Sequence, residues 1–133
     1  MKRQGLTLLV ILATACYNDS AGPVAETTEG RYTLRTVDDQ PLPAVIADVT
    51  NFRVEFMRGI VTLQSDLTFT DSTEVRRTEN QVVRRVIDVA AGTWSKTGNV
   101  ITLNSTRGEH YNMTLTGRTL RQSLAGNTLI YKK

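Results

Sequence analysis

Apolar and polar residues alternate along much of the chain after residue 30. Five stretches carry the pattern, and their apolar members are Tyr32 and Leu34; Phe52, Val54 and Phe56; Leu67 and Phe69; Tyr111, Met113 and Leu115; and Leu129 and Tyr131. A period of two places the apolar side chains on one face of a β-strand and the polar ones on the other. Many polar positions hold threonine, whose β-branched side chain suits the exposed face of a sheet. The pattern predicts an all-β domain.

Turn-forming sequences separate these strands at short intervals. They are Ser65-Asp66, Glu79-Asn80, Gly98-Asn99, Arg107-Gly108-Glu109, Gly117-Arg118 and Gly126-Asn127. Short strands joined by tight turns are typical of an antiparallel up-and-down meander, and we expect a small barrel of about eight strands. Residues 41–50 interrupt the pattern, because Pro41 and Pro43 exclude a regular central strand. We expect residues 44–47 to form a short helical turn or a lid over one end of the barrel.

The N-terminus has the features of an export signal. Lys2 and Arg3 precede an apolar run at residues 6–12, and small residues at 13–15 lead directly to Cys16. The run suits the apolar core of a secretory signal, since a helix that crosses a bilayer needs about 20 apolar residues. This order resembles the lipobox of bacterial lipoproteins. In that family the cysteine thiol carries a diacylglycerol and the chain is cut just before it.

Cys16 is the only cysteine in the chain, so it has no partner for an internal disulfide or a cysteine-based zinc site. The lipobox resemblance implies that lipid on Cys16 attaches the protein to a membrane, since each buried methylene adds about 0.8 kcal/mol. Tyr17, in place of an aspartate after the cysteine, favours by analogy the outer membrane, with the protein facing the periplasm. The alternative is an ordinary secreted protein whose one cysteine happens to follow the cleavage site.

Three regions follow from this interpretation. Residues 1–15 are a helical lipoprotein signal peptide, residues 16–29 are the lipidated cysteine and a flexible tether, and residues 30–133 are one folded domain. The tether is polar and lacks helical or strand periodicity. The chain has a net charge of +3, and two of its positive residues, Lys2 and Arg3, belong to the signal. The mature protein therefore lacks the strong basic excess that nucleic-acid binding requires, and we expect no nucleic-acid partner.

Several weak motifs occur in a suggestive order along residues 30–133. They are Gly30-Arg31-Tyr32-Thr33-Leu34, Gln40-Pro41-Leu42-Pro43-Ala44, the stretch from Gly59 to Phe69, Gly92-Thr93-Trp94, Val100-Ile101-Thr102-Leu103 and Gly126-Asn127-Thr128-Leu129-Ile130-Tyr131. Their order resembles a group of small bacterial lipoproteins with a lipocalin-like domain. The resemblance implies a small barrel in the cell envelope and leaves open whether that barrel is fully closed.

Large apolar side chains give two interpretations of the barrel interior. The candidates for lining a ligand pocket are Tyr32, Leu34, Phe52, Val54, Phe56, Phe69, Trp94, Met113 and Tyr131. An eight-stranded barrel is just wide enough to hold one small ligand or to be filled by its own side chains. Because a domain this small needs its large apolar residues for stability, the same set also fits a plain core, with Trp94 as a plug at one end. An interior cavity favours binding, and a filled core excludes it.

Four arginines flank the predicted hairpin tip at Glu79-Asn80-Gln81: Arg76, Arg77, Arg84 and Arg85. If Arg77 pairs near Arg84, positive charges lie side by side across two strands, and an anion such as a lipid phosphate would relieve them. In the alternative, Arg77 and Arg85 face one way and Arg76 and Arg84 the other, with local carboxylates neutralising them. Charged edge strands of this kind also prevent aggregation.

Catalytic motifs are absent from the sequence. His110 is the only histidine, and no Gly-x-Ser-x-Gly elbow, phosphate-binding loop or His-Glu-x-x-His motif occurs. The carboxylates Asp38, Asp39, Asp66 and Asp71 lack the spacing of a calcium loop. We expect no enzyme, metal or cofactor. Two functions remain: the barrel binds a hydrophobic small molecule or lipid, or a barrel with a filled core is a structural or interaction lipoprotein that contacts another envelope component.

Overall fold

The computed structural model describes residues 26–133. The predicted signal peptide, Cys16 and most of the predicted tether lie outside the described residues. Ten strands make up the described part: β1 (Gly30–Val37), β2 (Gln40–Pro41), β3 (Ala44–Val49), β4 (Phe52–Leu63), β5 (Thr68–Glu79), β6 (Val82–Thr97), β7 (Val100–Ser105), β8 (His110–Thr116), β9 (Thr119–Leu124) and β10 (Asn127–Lys132). This part has no helix that is long and apolar enough to cross a membrane.

Eight of the ten strands form a closed antiparallel barrel. Strands β4 to β10 pair with their neighbours in chain order, and β10 then pairs with β1. Closure comes from β1 and β4, which pair from Gly30 opposite Leu63 to Thr33 opposite Ile60. The predicted up-and-down meander and its number of strands are confirmed, and the barrel is complete. The short strand β2 pairs only with β1, and β3 pairs only with β4.

Hairpin turns and alternation place the side chains much as the pattern predicts. Asn80 and Gln81 form the tip between β5 and β6, and both have positive φ angles, 48° and 69°, as a tight two-residue hairpin requires. One expectation at a turn is wrong. Leu67 does not share the inward face with Phe69, because it precedes β5 with a φ of 65° and its side chain is largely exposed.

The expectation of a helical turn or lid at residues 44–47 is also wrong. Ala44–Val49 is strand β3, which pairs with β4 from Ala44 opposite Phe56 to Val49 opposite Phe52. Before Ile60, β4 does not have β1 as its neighbour. Strand β3 pairs with β4 between Phe52 and Phe56 and satisfies backbone groups that would otherwise lie unpaired there. Pro41 is accommodated because β2 is a two-residue strand at the edge, where a missing N–H is tolerated.

The barrel has two ends, set by the antiparallel order. The terminal end carries residues 26–29, the C-terminus and the turns at 64–67, 98–99 and 117–118. At this end the Tyr32 hydroxyl donates to the Thr28 carbonyl at 2.6 Å, and Lys133 Nζ donates to the Thr27 carbonyl at 2.7 Å. The mouth end carries the turns at 38–39, 80–81, 105–109 and 125–126. The last residues of the predicted tether are therefore bonded to the terminal end.

Strands β3 to β6 extend past the barrel at the mouth end and form what we call the wing, residues 44–56 and 74–91. It exists because β6 pairs with β5 along Val82 to Thr93 but with β7 only from Gly92 onward. The two strands approach closely where they meet. A Cβ atom added at Gly92 would lie 1.9 Å from the Asn104 carbonyl oxygen, so only glycine fits there.

The hydrophobic core fills the terminal end of the barrel and continues to Leu129 nearer the mouth. Its largest fully buried side chains are Tyr32, Leu63, Phe69, Ile101, Leu103, Met113, Leu120, Leu129 and Tyr131. Trp94 is buried with them, and its indole N–H donates to the Gln64 carbonyl at 2.9 Å, which fixes the ring beside the turn that closes this end. Open space lies further along the barrel, towards the mouth.

Candidate functional site

A cavity of about 280 Å³ lies in the mouth half of the barrel, where the wing begins. It is lined by Phe56, Asp71, Thr73, Val75, Asp88, Ala90, Tyr111, Gln122, Leu124, Leu129 and Tyr131. These residues come from β4, β5, β6, β8, β9 and β10, so the cavity is internal to the barrel and is not a groove between two neighbours. Its walls combine apolar and aromatic side chains with a few polar groups, the composition typical of small-molecule sites.

Asp71 is the unusual member of this lining. It occupies an inward position on β5, two residues after the buried Phe69, and lies opposite Ala90 of β6. Its Oδ1 atom is buried and has no hydrogen-bond partner among residues 26–133. Burial, with a smaller effect from the neighbouring Asp88 carboxylate, raises the pKa of Asp71 to about 6. The Thr73 side chain and the Arg107 charge lower this pKa only in part. The cavity therefore contains a carboxylate that burial disfavours and one of whose oxygen atoms has no described donor.

Two tyrosines from the opposite side of the barrel also line the cavity. Tyr131 is almost completely buried, and burial raises the pKa of its hydroxyl, with a further contribution from Asp71. Tyr111 donates its hydroxyl hydrogen to the Glu109 carboxylate, and this bond is the main reason that its pKa rises to about 12. Both hydroxyls therefore stay neutral at ordinary pH.

The loop between β7 and β8 borders the cavity on the side where β6 leaves β7. Thr106 donates its backbone N–H to the Ala91 carbonyl at 2.9 Å, which ties the loop to β6. Arg107 forms an ion pair with Asp88 at 3.1 Å and lies 3.6 Å from Glu109. The Arg107 charge is thus shared between two carboxylates other than Asp71.

A second depression, of about 540 Å³, adjoins the cavity. It lies where β8 and β9 separate, because their pairing ends at Met113 opposite Gln122. Tyr111, Gln122 and Leu124 line both spaces. The cavity therefore adjoins an open depression on the β8–β9 side of the barrel, through which a ligand has room to approach.

The structure divides the nine predicted pocket residues into three groups. Phe56 and Tyr131 line the cavity. The filled core takes Tyr32, Leu34, Phe69, Trp94 and Met113. Phe52 and Val54 lie on the wing, partly buried and outside the cavity. The interior is thus filled near the terminal end and open near the mouth, so the two interpretations of the interior each describe one half.

The sequence did not identify the polar residues that line the cavity. Asp71 and Thr73 continue the inward phase that Phe69 begins, and Gln122 lies in the inward phase of β9 two residues after Leu120. A polar residue in the phase of buried apolar ones is the signal that could have identified them. From its spacing in the sequence, Asp71 is a candidate only for a metal ligand, and it lacks the spacing of a calcium loop. No group of three or more potential metal ligands occurs within residues 26–133.

The four arginines form two directly opposed pairs across β5 and β6, Arg76 with Arg85 and Arg77 with Arg84. The alternative that places Arg77 and Arg85 on one face is wrong, because directly opposite residues of an antiparallel pair share a face. Two of the four charges, those of Arg76 and Arg85, are compensated by carboxylates. Arg85 lies 3.3 Å from Glu74, and the Arg77 guanidinium lies 5.5 Å from the centre of the Phe52 ring.

Arg76 is compensated by a residue that the sequence reasoning did not single out. Glu55 on β4 is 5% exposed and accepts a 2.7 Å hydrogen bond from Arg76 Nε and a 3.3 Å bond from Arg53. The Arg76 hydrogen bond is the main cause of a lowered pKa for the Glu55 carboxyl. Within residues 26–133, Arg84 is the member of the four arginines without an ion pair or a ring contact. An anion site at these arginines stays a prediction.

His110 lies at the start of β8, is exposed and shares a hydrogen bond with the Asn104 side chain at 2.7 Å. Together with Tyr111 it lines the depression beside the cavity. Comparison of the chain with protein-family models, curated proteins and solved structures found no match, so the fold and the cavity are the observations on which a function must rest.

Proposed function

We propose that this chain is a lipoprotein of the bacterial cell envelope, anchored to a membrane through lipid on Cys16, whose barrel binds a hydrophobic small molecule or a lipid. The observation that carries the proposal is the cavity in the mouth half of the barrel. Phe56, Val75 and Leu129 give it apolar walls, and Asp71 adds an unpaired polar group. Pockets that bind small molecules commonly combine apolar walls with a few polar groups that orient the ligand.

The size of the cavity limits the ligand. About 280 Å³ is near the lower bound for small-molecule sites, so a single chain or ring system fits and a large multi-chain lipid does not fit entirely inside. The adjoining depression near Tyr111 and Gln122 offers room for any part that extends outside. The ligand class is therefore a compact amphiphile or the end of one lipid chain.

Anchoring through Cys16 is compatible with the way the described chain begins. Thr27 and Thr28 are hydrogen-bonded at the terminal end, on the opposite side of the barrel from the cavity mouth. A lipid attached upstream of them leaves the mouth unobstructed. This arrangement supports a division of labour in which the N-terminal segment holds the protein in place and the barrel captures the ligand.

Binding can be tested by nuclear magnetic resonance titration of the purified domain with octan-1-ol, a neutral probe small enough for the cavity. We expect shifts confined to the cavity residues. The substitution Ala90→Leu adds volume at a buried lining position and should weaken binding at least about tenfold, which corresponds to about 1.4 kcal/mol. Val89→Leu, at an exposed neighbouring position, is the matched control and should bind as the wild type does. The absence of saturable binding to the wild type would overturn the proposal.

A second candidate function is interaction through the edge of β6, in keeping with a structural or interaction lipoprotein. Residues 82–91 of β6 pair with β5 on one side and have no strand on the other among residues 26–133. Their exposed apolar side chains are Val82, Val83, Val86, Ile87 and Val89. An edge strand with exposed apolar residues is a template for pairing with another strand.

The occupant that fits this edge best is a second copy of the chain. In an antiparallel pairing of β6 with β6 centred on Val86, Arg84 lies opposite Asp88 of the second copy, and Val83 lies opposite its Val89. Both contacts form twice because the arrangement has two-fold symmetry. Asp88 remains 65% exposed beside Arg107, and Arg84 has no described ion-pair partner, so opposite charges are available on both sides of the pairing.

A further inference from the structure

One oxygen of the Asp71 carboxylate lacks the hydrogen bonds that buried carboxylates normally receive. This Oδ1 atom is buried and receives no hydrogen bond from residues 26–133. An unsatisfied buried carboxylate costs free energy, and replacing such a group by an apolar side chain of similar volume often stabilises a protein. A solid barrel has no need of an acid at this inward position, between Phe69 and the wing. The carboxylate therefore points to something that it binds.

The charges around the cavity indicate the sign of that partner. Asp71 and Asp88 line it, and none of its lining residues is basic. Arg107, whose charge lowers the pKa of Asp71, lies 3.1 Å from Asp88 and 3.6 Å from Glu109, so its charge is already shared between two acids. Arg121 lines the adjoining depression and not the cavity itself. Because a low-dielectric interior strengthens electrostatic interactions, a positive ligand group placed beside Asp71 gains more there than it does in water.

We propose that the cavity selects ligands with a positively charged amine head group on a short apolar body, and that the Asp71 carboxylate binds the head group. This inference rests on the proposed binding function and names its ligand class. Phe56 and Tyr131 line the same space, and aromatic rings attract organic cations that approach their faces. Val75 and Leu129 then cover the apolar body.

This assignment makes binding depend on pH in a defined direction. Burial raises the pKa of Asp71 to about 6, so the carboxylate is mostly neutral near pH 5 and mostly charged near pH 8. An alkylamine stays cationic throughout this range, because amines of this type titrate near pH 10, as the lysine side chain does. Affinity for the amine therefore rises with pH, and the rise reports on Asp71 and not on the ligand.

Other charged groups near Asp71 do not produce the same signal. Asp88 faces it from β6, Arg107 from the loop before β8, and the neutral hydroxyls of Tyr111 and Tyr131 from β8 and β10. The two tyrosine pKa values lie above their ordinary value of 10, and arginine keeps its charge at any pH of interest. His110 lines the depression beside the cavity, and its contribution is separated by the variant described next, which keeps the histidine intact.

The test compares three probes of equal chain length by calorimetric titration: octylamine, octan-1-ol and octanoate. We expect octylamine to bind tightest at about pH 8 and to lose roughly tenfold in affinity at about pH 5, in proportion to the charged fraction of Asp71. Octan-1-ol should bind with little dependence on pH. The Asp71→Asn variant should retain octan-1-ol binding and lose both the amine preference and its pH dependence.

Asp39→Asn removes a carboxylate from an exposed turn and is the control for lost surface charge. It should behave like the wild type. Equal affinity for octylamine and octan-1-ol in the wild type, or tighter binding of octanoate, would overturn the cation inference and leave the proposed binding function standing. If none of the three probes binds, the proposed function itself fails. Should Asp71→Asn not fold, the preference of the wild type for octylamine over octan-1-ol and octanoate at a single pH still decides the question.

Discussion

Glu55 is a buried acidic residue on the outer face of the wing. It precedes the inward-facing Phe56 on β4 and therefore points to the other side of the sheet. Arg76 bonds it from β5 at 2.7 Å, and Arg53 lies on its own strand at 3.3 Å. Because the Arg76 hydrogen bond lowers the pKa of the Glu55 carboxyl, the charged form is the one that stabilises the fold. This stabilisation is present above the ordinary glutamate pKa of 4.5 and is lost as pH falls through the lower value of the folded state.

Glu55→Gln should therefore destabilise the protein at neutral pH, by about 1–2 kcal/mol, the scale of hydrogen bonds to charged groups that are partly exposed. Urea unfolding measures the change. The difference from the wild type should shrink as pH falls below 4.5 and vanish once Glu55 is protonated in the folded state, since protonated Glu55 resembles glutamine. Glu74→Gln, which removes the 3.3 Å pair with the exposed Arg85, is the matched control and should cost less than about 0.5 kcal/mol. Equal losses at both sites would contradict the special role of Glu55.

At the scale of single residues, the sequence predicted which side chains face inward better than it predicted their chemical role. Alternation placed Tyr32, Phe56 and Tyr131 inside the barrel, and they are buried there. It did not identify Asp71, because an inward polar residue is recognisable only once the neighbouring strands show that nothing pairs with it. Partners such as Arg76 for Glu55 lie on another strand, and their meeting depends on register, which is set by the whole sheet.

The wing is the element that separates this barrel from a plain closed one. Strand β6 is 16 residues long, but only its last third pairs with β7. Its free stretch exposes valine and isoleucine on both faces, whereas edge strands are usually protected by charge or by a covering segment. Arg84 and Arg85 supply some of that protection, and the proposed antiparallel pairing of two copies would supply the rest.

Val86→Lys places a charge at the centre of the proposed β6–β6 pairing, where it would meet its own copy directly. We expect the wild-type domain to dimerise with increasing concentration in sedimentation velocity experiments and the variant to stay monomeric. Val49→Lys puts the same charge on exposed β3, at the other side of the wing, and should dimerise normally. A wild-type domain that is monomeric at every concentration would exclude the second copy as the occupant of this edge.

Strand number and tight turns were accessible from local sequence, and the wing was not. The alternation of Phe52, Val54 and Phe56 is the same whether those residues face a barrel interior or one face of a projecting sheet. The helical turn expected at residues 44–47 failed for a related reason. The two nearby prolines argued against a strand, whereas the β-branched Val45 and Ile46 favour one. The deciding factor is that β4 needs a second pairing partner, which is visible only in the folded chain.

Closure of the barrel is a property of the whole molecule. The pairing of β1 with β4 joins segments about 30 residues apart in sequence, from Gly30 opposite Leu63 to Thr33 opposite Ile60, and no local pattern encodes it. Closure removes the sheet edges at β1 and β4 over this stretch and completes the enclosed interior that the cavity occupies. The order of the motifs predicted the barrel, and the long-range pairing decided that it is complete.

Membrane attachment is a prediction about the whole chain. Cys16→Ala should release the protein from the membrane fraction of the expressing bacterium and abolish its labelling by radioactive palmitate, because the thiol that would carry lipid is gone. Ser20→Ala, a change within the predicted tether, should leave both unaffected. A Cys16→Ala protein that stays in the membrane fraction, together with a wild type that takes up no label, would refute the lipid anchor.

The hydrogen bonds of Thr27 and Thr28 at the terminal end have a consequence for how a ligand would travel. On the proposed anchoring, the chain from Cys16 to Thr27 reaches at most about 40 Å even when fully extended. Strand β5, with its 12 residues, alone covers about 40 Å from the terminal end to the hairpin tip. Pressing the mouth against the bilayer would therefore demand a taut tether at a high entropic cost. The ligand would therefore exchange between the barrel and the surrounding water. This favours an amine that is dispersed in water over a molecule taken directly from the lipid leaflet.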